Sequence, residues 1–244
     1  MINRICISIN NRCNLGCKYC HFHEKSILDD ADMDVFKILD NVKTYAKGNF
    51  KIGFVGNGEG LLDWPKLKSY IAYLEDYPNI SIYTITNGTV SLNDEEWRFL
   101  ENHSVNVGFS MDGYKELHDK NRGNSFDKAM HNVEEYKRVT GHYPTFNATV
   151  GEDSLLNADK VINFFKPFGV RVTFSRMIGR YGISLQEYRD FLESAEKTLD
   201  VRRGLIVQCM VDNVALGQIT IFLLMVLFIS VVIVSIYLRL VKAI

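Results

Sequence analysis

Residues 5–20 read ICISINNRCNLGCKYC, and this stretch decides how the rest is read. Ile5 to Ile9 is a short β-branched run of the kind that forms a buried strand. Cys13, Cys17 and Cys20 follow it on what must be one tight loop. Thiolates are the usual ligands of iron–sulfur clusters. Three of them leave one iron of a four-iron cluster without a protein ligand, and an open metal position is where a reactive ligand binds. Zinc is the competing reading, because His21 and His23 follow Cys20. That spacing does not resemble a zinc finger, and no second cysteine pair lies downstream. A redox dithiol needs only two of the three thiols.

Beyond the first strand the chain repeats one theme: a short apolar run, a polar turn, then a helical pattern. Further strands are predicted over Lys51–Val55, Ile80–Ile85, Val105–Ser110, Thr145–Val150 and Val170–Ser175. Between them, Phe126, Ala129, Val133 and Tyr136 form an apolar helical stripe with Ser125 as its N-cap. Ser184 and Glu187 form a capping box ahead of Leu185, Tyr188, Leu192, Ala195 and Leu199. Asn93 caps an acidic first turn, and Asn157 and Gly169 are expected to start and end another helix. Six strands alternating with helices predict an α/β fold with a parallel sheet, either open or a closed or partly closed barrel. In both, ligands gather at the carboxyl ends of the strands. The unusual residues lie there: the cysteines after strand one, Gly56-Asn-Gly-Glu59 after strand two, Thr86-Asn-Gly88 after strand three and Ser110-Met-Asp-Gly113 ending strand four.

A chain of 244 residues can bury a core without disulfide staples. Its formal net charge of −1 gives no electrostatic case for a nucleic-acid partner. Five cysteines, three of them clustered, fit a metal site in a reducing compartment better than a disulfide framework. No secretory signal is visible at the N-terminus. Residues 219–238, ITIFLLMVLFISVVIVSIYL, are uncharged and apolar, long enough at about 1.5 Å per residue to cross a hydrocarbon core of roughly 30 Å. They predict a transmembrane helix, a C-terminal hydrophobic helix that would anchor the chain to a membrane.

Taken together, these residues resemble the radical S-adenosylmethionine superfamily. The spacing of Cys13, Cys17 and Cys20, with Tyr19 before the last, looks like its signature. Ser110-Met-Asp-Gly113 followed by His118, Asp119 and Arg122 is similar to the branch that modifies peptides and proteins, including the anaerobic sulfatase maturases and the SPASM and Twitch enzymes. The resemblance implies a partial (β/α)6 barrel of TIM type. It implies a [4Fe–4S] cluster on the three cysteines, with S-adenosylmethionine on the fourth iron. It implies that Gly58 and Glu59, or nearby backbone, face the methionine amino group. Tyr19 would lie near the adenine, and Ser110 and Arg122 would contact the ribose or the carboxylate. Asn87 is a further cofactor-binding candidate, with a plain turn residue as the equal alternative. The implied chemistry is reductive cleavage of S-adenosylmethionine to a 5′-deoxyadenosyl radical, which abstracts hydrogen from a peptide or protein substrate. An electron donor of flavodoxin or ferredoxin type and a cytoplasmic catalytic domain follow from the same resemblance.

The sequence departs from that pattern in three places. Asn57 stands where the motif has its first glycine, and Gly60 where it has a proline. Cys209 looks like the start of an auxiliary-cluster extension, yet no cysteine follows it. The expected organisation is a catalytic core over 1–204, an extension remnant over 205–218 and the transmembrane helix over 219–238. A degenerate, membrane-tethered module without turnover and a small-molecule radical enzyme stand as the alternatives. Cys6 is expected to be a small core residue. Asp112 is expected to shape its loop, and His118 either faces a substrate or is a surface histidine.

Overall fold

The computed structural model describes residues 3–20, 34–45 and 48–203. The predicted transmembrane helix 219–238, the remnant 205–218 with Cys209, and His21 and His23 lie outside the described residues. Among the described residues, no helix is long and apolar enough to cross a membrane.

The chain alternates strand and helix: β1 (Arg4–Ile7), α1 (Val35–Tyr45), β2 (Phe50–Phe54), α2 (Trp64–Ala72), β3 (Ile80–Thr86), α3 (Asp94–Asn102), β4 (Asn106–Ser110), α4 (Lys115–Arg122), α5 (Phe126–Thr140), β5 (Thr145–Val150), α6 (Glu152–Leu156), α7 (Ala158–Phe165), β6 (Val172–Arg176), α8 (Leu185–Glu196) and β7 (Val201–Arg203). The strands form one parallel sheet in the order β1-β2-β3-β4-β5-β6-β7, curled into a half-barrel. Each strand therefore lies beside its predecessor, as right-handed β–α–β crossovers produce when they all turn the same way. The expected barrel-type parallel α/β fold is what forms, with a seventh strand added. β7 pairs Val201 with Val172, and its three residues carry too little pattern to be read as a strand.

Period-two alternation separates the two faces of the sheet. Phe54, Phe109, Phe146 and Phe174 point to the helices, where they are fully buried against Tyr70, Trp97, Phe165 and Phe191. The other face lines the inside of the half-barrel. There Cys6, Gly53 and Tyr83 are in register across β1, β2 and β3. The Tyr83 ring crosses Gly53 closely enough that a Cβ would collide with it, and its hydroxyl lies 3.2 Å from the Cys6 sulfur. Arg4 donates to the same hydroxyl. Cys6 is thus half-buried and hydrogen-bonded inside the barrel, not the core residue expected from sequence.

The capping boxes at Asn93 and Ser184 form as read. Ser125 does not cap α5, because its hydroxyl is held by His118 and by the Arg122 carbonyl. Asp119 from α4 takes the Phe126 amide instead, at 2.8 Å. Asn157 does not cap α7 either; its side chain donates to the Asp153 carbonyl of α6. Gly169, at φ 62°, closes the 3₁₀ turn that follows α7.

Candidate active site

The cysteine loop lies over the carboxyl ends of β2, β3 and β4, and hydrogen bonds to several elements fix it there. The Lys18 amide donates to the Asn121 carbonyl at 2.9 Å. The Tyr19 hydroxyl donates to Asp112 Oδ2 at 2.8 Å. Asn14 Nδ2 donates to Thr89 Oγ1 at 2.8 Å. Within the loop, the Cys20 amide closes a turn on the Cys17 carbonyl at 3.0 Å. Cys13 is exposed, while Cys17 and Cys20 are half-buried. Burial pushes the Cys17 thiol up to about 11, against the pull of the Arg122 guanidinium, and Asp112, Cys13 and Cys20 push the same way. The three thiols are therefore near enough to feel one another. Three thiolates on one loop are the ligands a [4Fe–4S] cluster takes from its protein, and the donor set here fits it. His21 and His23, on which the zinc reading rests, lie outside the described residues.

Asp112 organises the wall beneath the loop. Its carboxylate accepts from the Tyr19 hydroxyl, from Asn121 Nδ2 at 3.1 Å, from Arg122 at 3.1 Å and from the Thr149 amide at 3.1 Å. Burial opposes its charge, but Arg122, the Thr149 amide and the Tyr19 hydroxyl hold it below the usual carboxylate range. Arg122 is itself buried, which opposes its charge most, but Asp112, Tyr19 and Cys17 together raise its guanidinium. It also sits 5.4 Å from the centre of the Tyr19 ring. Among the described residues, Arg122 Nε has no hydrogen-bond partner, and neither does Asn121 Oδ1 beside it. A buried donor left unpaired is costly, so an orphaned guanidinium N–H next to the cysteine loop marks a place for an acceptor such as a carboxylate. Ser110 ends β4 half-buried, paired in register with Asn147 of β5.

His118 lies behind Asp112 and is fully buried, so neither reading of it from sequence holds. Its Nδ1 accepts from the Asp112 amide at 3.5 Å and its Nε2 faces Ser125 Oγ at 3.0 Å. A ring nitrogen that accepts from an amide carries no proton. The hydrogen-bond pattern thus assigns the neutral Nε2–H tautomer. Burial lowers its pKa to about 4, in agreement.

Glu59 joins the loops after β2 and β3. Its carboxylate accepts from the Leu61 amide at 3.0 Å and the Asn87 amide at 2.6 Å, and its own amide donates to the Arg12 carbonyl at 2.8 Å. Burial raises its pKa and the two amides oppose that rise. Gly58 packs so tightly that a Cβ would stand 2.4 Å from both the Arg12 carbonyl and Asn10 Oδ1. Asn57 is accommodated: its amide reaches Ser8 Oγ at 3.2 Å and its side chain Asn11 Oδ1 at 3.0 Å. Asn87 donates to Asn14 Oδ1 at 2.9 Å and faces the Cys13 sulfur at 3.8 Å. The structure therefore links Cys13, Asn87 and Glu59 in one set of contacts and Tyr19, Asp112 and Arg122 in another, with Gly58 packed against the Arg12 and Asn10 stretch of the cysteine loop. Asn14, Thr89, Asn121 and Thr149 belong to these contacts as well and were missed. The only sequence signal for the first two was their place beside Cys13 and after the Asn-Gly pair.

The family profile described as Radical SAM superfamily matches residues 7–153. A cysteine-type anaerobic sulfatase-maturating enzyme of Clostridium novyi (strain NT) is 29% identical over 175 residues, covering 64% of this chain and 46% of the relative. The chain spans about half the length of the curated relatives it matches. Among solved structures, native anSMEcpe with bound AdoMet and the Cp18Cys peptide superposes with a TM-score of 0.65 at 24% identity, covering 80% of this chain and 58% of that one. SuiB of Streptococcus suis bound to its precursor peptide SuiA gives 0.68 at 15% identity, covering 84% and 49%. At these identities the two structures establish the shared fold.

Proposed function

The chain belongs to the radical SAM superfamily, and from that premise we propose that it is an enzyme acting on a peptide or protein, with a [4Fe–4S] cluster on Cys13, Cys17 and Cys20 and S-adenosylmethionine beside it. One observation carries the reading. The three thiols share a loop that closes over the strand ends next to a buried guanidinium N–H that has no partner among the described residues. When bound, the pair supplies reductive cleavage of the sulfonium and a carbon radical able to take hydrogen from a substrate.

This chain's residues do the positioning. Arg122, charged and held by Asp112, offers the Nε–H that is unpartnered among the described residues to the methionine carboxylate. Tyr19, its hydroxyl fixed on Asp112, would lie near the adenine. The Glu59 carboxylate is committed to the Leu61 and Asn87 amides, so the backbone around Gly58 is what meets the methionine amino group. Ser110 faces the ribose from the end of β4. A peptide or protein substrate is supported by the sulfatase-maturating relative and by the two similar structures that hold the Cp18Cys peptide and the precursor peptide SuiA. A flavodoxin- or ferredoxin-type donor would supply the electron. Of the three departures behind the reading without turnover, Asn57 and Gly60 both fit the loop they occupy, and the extension that Cys209 begins lies outside the described residues.

Anaerobic reconstitution tests this. The protein should take up ~4 irons per chain and release 5′-deoxyadenosine when reduced with S-adenosylmethionine. A Cys13/Cys17/Cys20→Ala triple variant that still did both would refute the assignment.

A further inference from the structure

Asn87 stands between the cluster loop and the end of β3, and every polar atom of its side chain has a direction. Its Oδ1 accepts from the Thr89 amide at 2.9 Å. A backbone amide can only donate, so this contact fixes which end of the Asn87 amide is oxygen. The Thr89 hydroxyl donates to the same Oδ1 at 2.7 Å and accepts from Asn14 Nδ2 at 2.8 Å. Asn14 Oδ1 in turn accepts from Asn87 Nδ2 at 2.9 Å. Asn87, Thr89 and Asn14 thereby close a ring of three hydrogen bonds with a single sense of donation. Asn87 Nδ2 has two hydrogens, and the ring uses one. The other faces Cys13 Sγ at 3.8 Å. The side chain is buried, and Glu59 holds its backbone amide from the far side.

Nothing in this arrangement leaves Asn87 a donor for S-adenosylmethionine. We propose that Asn87 is a positioning residue that donates an N–H···S hydrogen bond to the Cys13 thiolate, held in that orientation by the ring with Thr89 and Asn14. The inference rests on the cluster reading above. Hydrogen bonds to the ligating sulfurs are one of the protein's means of setting a cluster's reduction potential. A donor favours the more electron-rich reduced state. Asn87 therefore raises the potential. Asn14, the neighbour of Cys13 in the chain, fixes the reach of the thiol from the backbone side.

The test compares anaerobically reconstituted wild type with Asn87→Asp, Asn87→Ser and Thr89→Val, measuring iron per chain and midpoint potential by EPR-monitored titration without S-adenosylmethionine. Asn87→Asp keeps an oxygen for the Thr89 amide and loses the donor. Asn87→Ser loses the reach. Thr89→Val removes the hydroxyl from the ring but leaves the amide anchor and the donor. The expected result is wild-type iron content throughout, potentials clearly lowered in both Asn87 variants, and a much smaller shift in Thr89→Val. Unchanged potentials in the Asn87 variants, or an equal shift in all three, would overturn the inference. Loss of iron in both Asn87 variants would overturn it too, by making Asn87 part of the scaffold. A wild type that holds no cluster would instead sink the cluster reading itself.

Discussion

The Tyr19 hydroxyl lies 2.8 Å from Asp112 Oδ2, across 93 residues of sequence. This bond fastens the cysteine loop to the end of β4, and Asp112 holds the buried Arg122 with its other oxygen. The two interactions differ in weight. Tyr19→Phe removes one hydrogen bond to a charged acceptor that keeps three other donors, and should cost about 1–2 kcal/mol in urea unfolding. Asp112→Ala leaves Arg122 charged, buried and unpaired, and should cost about 3–5 kcal/mol or prevent folding. Equal losses in the two variants would contradict Asp112 as the hub.

His118 makes stability depend on pH. Its folded pKa of about 4 lies below the ordinary value of 6.5. The unfolded chain therefore binds the proton first as pH falls, and folding loses ground between pH 6.5 and pH 4. From pH 7 to pH 5 the loss is ~2 kcal/mol from this residue. His118→Gln should flatten the pH profile of the unfolding midpoint in that window, leaving only the carboxylate contribution at lower pH. A profile as steep as wild type would argue for another titrating group.

The loop after β2 separates two glycines with opposite requirements. Gly58→Ala puts a methyl 2.4 Å from the Arg12 carbonyl and Asn10 Oδ1, so backbone has to move. We expect a loss of about 2 kcal/mol or more, with weakened S-adenosylmethionine binding in calorimetry. Gly60 would place a Cβ 3.5 Å from Ile9 Cγ1, an ordinary contact. It opens a 3₁₀ turn, where proline is tolerated, and Glu59 before it is extended at φ −95°, ψ 109°. Gly60→Pro should raise stability by about 0.5–1 kcal/mol through the unfolded state, read as a higher melting temperature.

Much of this was legible before any coordinates. The run Thr145–Val150 becomes a strand with those bounds, and the other five strands shift by no more than two residues at either end, because a β-branched run between turn residues has few other uses. The cysteine spacing likewise marked its own loop. What stayed hidden depends on partners distant in sequence. Ser125 has the composition of a cap, yet His118 takes its hydroxyl while Asp119 does the capping. Cys6 has the composition of core, yet Gly53 lets Tyr83 reach across to it. Thr89 and Asn14 carry no motif at all; only the sheet brings them together.

The strand order also sets a timetable. Each strand of the β1-to-β7 series lies against the one made just before it, so the barrel can assemble as the chain leaves the ribosome, with short loops closing one after another. The cysteine loop cannot follow that rule. It is synthesised before its anchors, which arrive late: Thr89, then Asp112 and Asn121, and finally Asp153, whose ion pair with Lys18 spans 135 residues. Until those residues emerge, the three thiols have no wall to lie against. Metal loading is therefore an event of the nearly finished domain, and a nascent chain stalled before Asp112 would carry its cysteines undefended against oxidation.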